Sequence, residues 1–132
     1  GVLILAVSAT AAFGSVNGYS KYKEAVKALA LETGVAVVEL VQMNRQVELR
    51  PDKRPQLSDL RDTGALEQDA DGVIFLYRDD YYNPQEDPDA PSLLEVSLAK
   101  NRHGKVGGCQ MAFDMTASRI SGIAQRSSGG RR

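Results

Sequence analysis

Three runs constrain the fold more than anything else in this chain: VLILAVSA (2–9), VAVVELV (35–41) and GVIFLY (72–77) are apolar at almost every position. A strand with one face in water alternates apolar and polar residues, so a nearly unbroken apolar run suits a strand covered on both faces. That is the environment of the central strands of a parallel sheet. Parallel neighbours need a long crossover, and residues 19–32 supply one with helical periodicity. Tyr22, Val26 and Leu29 form an apolar stripe widened by Ala25 and Ala30, while Lys21, Glu24 and Lys27 fall off it. Thr33-Gly34 is a suitable stop, because glycine adopts the left-handed conformation that closes a helix. Residues 2–41 are therefore expected to form a βαβ unit with a right-handed crossover.

The second half has a different grain. Ser58 and Asp59 can cap a short helical turn that Gly64 breaks, and residues 78–91 form an acidic, proline-bearing surface loop. SLLEVSLAK (92–100) and GGCQMAFDM (107–115) are strands joined by the turn NRHGKV, an antiparallel edge to the sheet. At 132 residues the chain fits one domain, and 42% hydrophobic residues suit a folded core rather than disorder. A net charge of −1 excludes a generally basic nucleic-acid coat but leaves room for a local basic patch. The single Cys109 forms no internal disulfide, and no Cys/His spacing resembles a zinc site, which favours a reducing, cytoplasmic setting. The N-terminal run resembles a signal peptide, down to Ala9-Thr10-Ala11, yet no cation precedes it and it is too short to span a membrane. A buried strand is the better reading. SSGGRR at the other end reads as a frayed tail, so the organisation expected is one domain over 1–120 and a flexible basic tail over 121–132.

In open α/β sheets ligands gather beyond the strand ends, which directs attention to the residues that follow each run. Gln42 follows the second; its amide both donates and accepts, so it can hold a water or phosphate, or simply end a strand. Lys100 and Arg102, two apart in an extended segment, point to one side and can converge on one phosphate, as an arginine finger does. Exposed cations beside a turn are the plainer alternative. The segment 45–62 carries Arg45, Arg50, Lys53, Arg54 and Arg61 on a chain stiffened by Pro51 and Pro55. Such a loop can grip a nucleic-acid backbone without reading bases, although Asp52, Asp59 and Asp62 nearly balance its charge and a solvated loop fits as well. His103 has no partner that argues for catalysis or metal binding, and Tyr81-Tyr82 are expected to pack on the surface. No G-x-x-x-x-G-K-[ST] occurs, so nothing visible in this chain alone binds the phosphates of a nucleotide.

The ordered series VVELVQMNRQ, DKRPQ, LRDTG, LEQDADG and YRDDYYN, followed by AKNRHGKVGG, resembles the DnaB-type replicative DNA helicases over about residues 21–120. The resemblance implies the C-terminal part of a RecA-like motor domain: an α/β fold with a mostly parallel sheet, flanking helices and an antiparallel C-terminal edge. It implies an ATP-dependent enzyme that unwinds duplex DNA by moving along single-stranded DNA as a homo-hexameric ring, with primase and a helicase loader as partners. Gln42 then corresponds to the family's phosphate sensor. Arg61, Asp62 and Gly64 match the turn that touches DNA, with Arg50, Lys53 and Arg54 on the same loop. Lys100 and Arg102 match the pair that reaches the neighbour's ATP. ATP and Mg2+ are implied for the full assembly, with neither held by this fragment alone. The family's Mg2+-facing aspartate falls at Ala6, a departure that keeps a non-catalytic, helicase-derived single-strand- or helicase-binding protein as the alternative.

Overall fold

The computed structural model describes residues 2–7, 16–43, 45–61, 68–87 and 90–123. In chain order these form β1 (Val2–Val7), α1 (Val16–Thr33), β2 (Val37–Gln42), α2 (Leu57–Arg61), β3 (Gly72–Arg78), β4 (Ser92–Asn101), β5 (Gly107–Asp114) and β6 (Arg119–Gly122). Two 3-10 turns, Arg45–Leu49 and Asp79–Tyr81, complete the set. The strands make one six-stranded sheet in the order β2-β1-β3-β4-β5-β6. β1 pairs in parallel with both β2 and β3, as the apolar runs require. The α/β sheet with a parallel core and an antiparallel C-terminal side is present, but the balance differs from a mostly parallel sheet. Among the described residues, three of the five pairings are antiparallel.

The extra pairing is β6, which no apolar run announces because all four of its residues are exposed. A turn sets it in place. Asp114 Oδ1 accepts hydrogen bonds from the Thr116 hydroxyl (2.7 Å), Thr116 N (3.0 Å) and Ala117 N (3.2 Å). These bonds, led by the Thr116 hydroxyl, hold the Asp114 carboxyl below its ordinary range. β6 runs to Gly122, past the boundary expected at 120; residues 124–132, the rest of the tail, lie outside the described residues.

Helix α1 ends as its sequence dictates: Gly34 has φ 68° and its N–H donates to Ala30 O at 3.1 Å. Its inward face departs from the expected stripe. Ala30 is buried and Val26 packs against the core, whereas Leu29 and Leu31 are 51% and 75% exposed. Residues four apart line up along a helix, so contact along the 26–30 row turns position 29 to the flank.

Among the described residues, a core cluster is formed by Ala30, Leu60, Ala70, Val73 and Phe75, with Val37, Val41, Met43, Leu57 and Ala99 packed around it. Leu60 and Val73 are completely buried, each contributing about 1.5–3 kcal/mol from apolar area removed from water. β2 does not take the central place its composition suggests. It lies at one end of the sheet order, Val37 and Val41 face the core, and Val38 and Leu40 on its other face are 56% and 71% exposed. Between the two inward valines sits Glu39, buried at 8% exposure.

Candidate functional site

Registers divide the candidate residues between two opposite ends of the sheet. Val7, Gln42 and Leu76 lie side by side, so the carboxyl ends of β1, β2 and β3 share one edge. Ala6 is one residue short of that edge, aligned with Val41 and Phe75. Gln42 is the last residue of β2, and the 45–61 segment follows it.

That segment is not a free loop. Val47 and Leu60 are buried, so both of its ends are sewn into the core. Gln56 precedes α2, and its N–H donates to Asp59 Oδ2 at 2.8 Å while Asp59 N donates to Gln56 O at 2.9 Å. Asp59 therefore caps from the third helical position, in the manner of a capping box, and not as the N-cap itself. The Arg50 fork donates to both Asp59 oxygens at 2.8 and 2.9 Å and to Arg54 O at 2.8 Å. One arginine thus ties the start of the loop to its middle and to the helix that ends it.

Arg54 reaches further. Its Nε and Nη2 donate to the two carboxylate oxygens of Glu95 on β4, each at 2.8 Å, and its guanidinium lies 5.0 Å from the centre of the Tyr77 ring. This bidentate pair raises the Arg54 pKa further above its already high value, with the Glu95 hydrogen bonds as the largest cause. Asp52, which accepts from Arg54 N at 3.0 Å, is held below the usual carboxylate range chiefly by that backbone bond. Lys53 is bound more loosely: Nζ lies 3.4 Å from Arg50 O and 5.6 Å from the Tyr82 ring centre.

The carboxyl end of β3 is equally organised. Tyr77, 5% exposed, donates its hydroxyl to Asp79 Oδ1 at 2.7 Å; burial, then that bond, pushes its pKa up to about 12. Tyr82 stacks on Tyr77 with centroids 6.1 Å apart, and Tyr81 meets Tyr82 edge-on at 5.0 Å, so the tyrosine pair packs as its sequence suggested. Arg78 donates to Asp80 at 2.7 Å and Ser92 donates to the same carboxylate at 2.5 Å. Those contacts, Arg78 first, lower the Asp80 pKa.

Lys100 and Arg102 occupy the other edge. β4 runs against β3, so Asn101 aligns with Gly72 and hence with Leu3, at the amino end of the parallel strands. From there to the level of Gln42 is about 13 Å along the strands and about 14 Å across three strand spacings. The two cations contact one turn, through different groups. Lys100 Nζ donates to Gln68 O at 3.2 Å. Arg102 pairs with the Asp71 carboxylate, its N–H donates to Asp71 O at 2.8 Å, and Nη2 lies 3.4 Å from Asp69 O.

Sequence reasoning thus located the cations but not the groups that orient them: Asp59, Asp71, Glu95 and Tyr77. Asp59 was legible from its place three residues after Gln56. Glu95 and Asp71 were not, since only the β3–β4 pairing and the fold of the 68–71 turn bring them to their arginines. Arg61 is the last residue of α2, while Asp62 and Gly64 lie outside the described residues.

Residues 7–122 match the family described as the DnaB-like helicase C terminal domain. The replicative DNA helicase DnaB of Geobacillus stearothermophilus is 46% identical over 107 residues, which is 81% of this chain and 23% of that protein. The replicative DNA helicase DnaC of Bacillus subtilis (strain 168) is 41% identical over 107 residues, with the same coverage of 81% and 23%. Among solved structures, an ATPase domain superimposes with a TM-score of 0.71 at 41% identity, covering 91% of this chain and 44% of that one. A DnaB-like replicative helicase, studied with its interactions with primase, gives a TM-score of 0.71 at 40% identity, covering 92% and 31%. The chain spans about a quarter of the length of these curated relatives. Family match, identity and a shared RecA-like sheet agree, and the chain belongs to the DnaB-like helicase C-terminal domain family.

Proposed function

We propose that this chain is the C-terminal part of the motor of an ATP-dependent replicative helicase, which unwinds duplex DNA by translocating on single-stranded DNA as a hexameric ring. The observation that carries this reading is the division of the site between opposite sheet edges. A nucleotide at the carboxyl ends of β1 and β2 would lie about 13 Å along the strands from the level of Lys100 and Arg102, too far for their side chains. The two cations then serve a nucleotide on the adjacent subunit, where their donors fit phosphate oxygens and stabilise charge in the transferring group. ATP with Mg2+, when bound, supplies the phosphoryl bond whose cleavage drives movement. Gln42, at the carboxyl edge from which the chain leads into the 45–61 segment, relays the phosphate state to that segment. Lys53, with Arg61, Asp62 and Gly64, meets the DNA backbone; Arg50 and Arg54 contribute by holding the loop in shape as well as by charge. Primase and a loader dock on the assembled ring.

A mixing experiment tests this. Mixing Gln42→Ala protein into the Arg102→Ala variant is expected to restore ATP turnover that neither shows alone, because a site between the two can combine Gln42 of one subunit with Arg102 of its neighbour. The pure Arg102→Ala variant should lose on the order of a thousandfold in turnover. Mixed rings with no more turnover than the two variants measured separately would exclude action in trans. Ala6 favours a second reading, a non-catalytic binder of single strands or of a helicase, since alanine offers Mg2+ no ligand. Measurable DNA-stimulated ATP hydrolysis by the intact protein, abolished by Arg102→Ala, decides against it.

A further inference from the structure

Two cations side by side repel each other, and both belong to long, flexible side chains. What assembles them here is the turn 68–71. It offers Lys100 the carbonyl of Gln68, and it offers Arg102 the carbonyl of Asp69 and the carboxylate of Asp71. Asp71 also holds the Arg102 backbone, through the bond from Arg102 N to Asp71 O at 2.8 Å. The turn is braced in its own right, because Asp69 accepts from Lys27 of α1 at 2.6 Å.

We propose that Asp71 is the positioning residue of Arg102: it holds the guanidinium beside Lys100 on the 68–71 turn before the neighbour's nucleotide arrives. This rests on the reading of Lys100 and Arg102 as a pair acting across the subunit interface. Fixing the fork in advance removes part of the ordering cost that phosphate binding would otherwise bear. The hold is also releasable. Arg102 and Asp71 side chains are 48% and 27% exposed, and ion pairs so open to water are weak. A nucleotide's charged phosphate oxygens therefore displace a single half-exposed carboxylate. Asp71 touches no reacting atom in this scheme; it acts only through Arg102.

The test is a double-variant cycle in the intact protein, with kcat and KM for ATP measured separately at saturating single-stranded DNA. Asp71→Asn keeps the shape and removes the charge; it is expected to lower kcat by about fivefold, near the most that such an exposed pair carries, with KM nearly unchanged. Asp71→Glu should recover part of that loss. Asp71→Asn combined with Arg102→Ala should be no slower than Arg102→Ala alone, since the carboxylate has nothing left to position. An unchanged kcat in Asp71→Asn overturns the proposal, and so does a double variant slower than Arg102→Ala. If Asp71→Asn lowers the thermal midpoint together with kcat, the same double variant decides, because a merely structural defect adds to the Arg102 loss. Should Arg102→Ala turn over like wild type, or should wild type show no turnover, the finger reading itself fails and this inference with it. Loss of activity in Arg102→Ala beside a normal Asp71→Asn removes the inference alone.

Discussion

Tyr77 shows how a single side chain acquires its properties from its surroundings. Its ring is covered by Tyr82 and by the Arg54 guanidinium, and its hydroxyl donates to Asp79. Ionising it would place a phenolate in a nearly water-free position beside a carboxylate, so its pKa rises from 10.0 to about 12. The folded pKa is raised, so the stabilising contribution is complete below pH 10 and disappears as pH climbs through about 12. Absorbance titration at the phenolate band should therefore show a step near pH 12 that Tyr77→Phe deletes. A titration near pH 12 that Tyr77→Phe leaves unchanged would show that the hydroxyl is not held as described. The aromatic residue itself is plain in GVIFLY; its partner and its burial are not, because Arg54 comes from 23 residues upstream and arrives only when the loop folds across the sheet.

Among the elements, the segment 45–61 gains its shape from opposite charges rather than from length or proline content. Arg50–Asp59 closes it on itself and Arg54–Glu95 fastens it to β4. Arg54 and Glu95 are partly exposed, at 51% and 27%, so their coupling in a double-mutant cycle should be about 1 kcal/mol, at the upper end for pairs open to solvent and favoured by bidentate geometry. Arg54→Ala and Glu95→Ala should each lower the thermal midpoint and loosen the loop. Lys53→Ala should leave stability unchanged, weaken single-strand affinity at low salt, and reduce the salt slope by about one. Equal losses of DNA affinity in Lys53→Ala and Arg54→Ala, with no stability difference, would mean the arginine is a phosphate contact first and a staple second. The alternation of Arg and Lys with Asp visible in RPDKRPQLSDLRD was a fair sign of internal pairing, since balanced charge at short spacing neutralises itself. The element that receives Arg54 could not be read there, because Glu95 lies 41 residues away.

Across the sheet as a unit, the outer parallel strand carries exposed apolar residues. Val38 and Leu40 on β2 stand at 56% and 71% exposure, on the face opposite the core-facing Val37 and Val41. A strand at the end of the sheet order with exposed apolar side chains favours pairing with another chain. The isolated 132-residue chain should therefore self-associate with rising concentration and bind a hydrophobic dye, and Leu40→Lys should reduce both. A monomer by sedimentation at all concentrations, with a sharp reversible thermal transition, would show that this face needs no cover. No helix among the described residues is long and apolar enough to cross a membrane.

Most elements, β6 excepted, and the family were readable in the order of residues alone. Unbroken apolar runs mark strands, one helical stripe demands a crossover, and Gly34 ends the helix because its φ of 68° favours glycine. The order of short motifs from Gln42 to Arg102 carries the resemblance, which the comparisons bear out. Local chemistry suffices for all of these, because each depends on residues within a few positions of one another. Long-range register was settled only when the sheet assembled. β1 enters between β2 and β3, which moves VAVVELV to the outside and leaves half of it open. The antiparallel return of β4 carries Lys100 and Arg102 to the edge opposite Gln42 and lays Arg102 against Asp71. Strand pairing is set by backbone hydrogen bonds between segments far apart in the chain, so no window of local residues contains it.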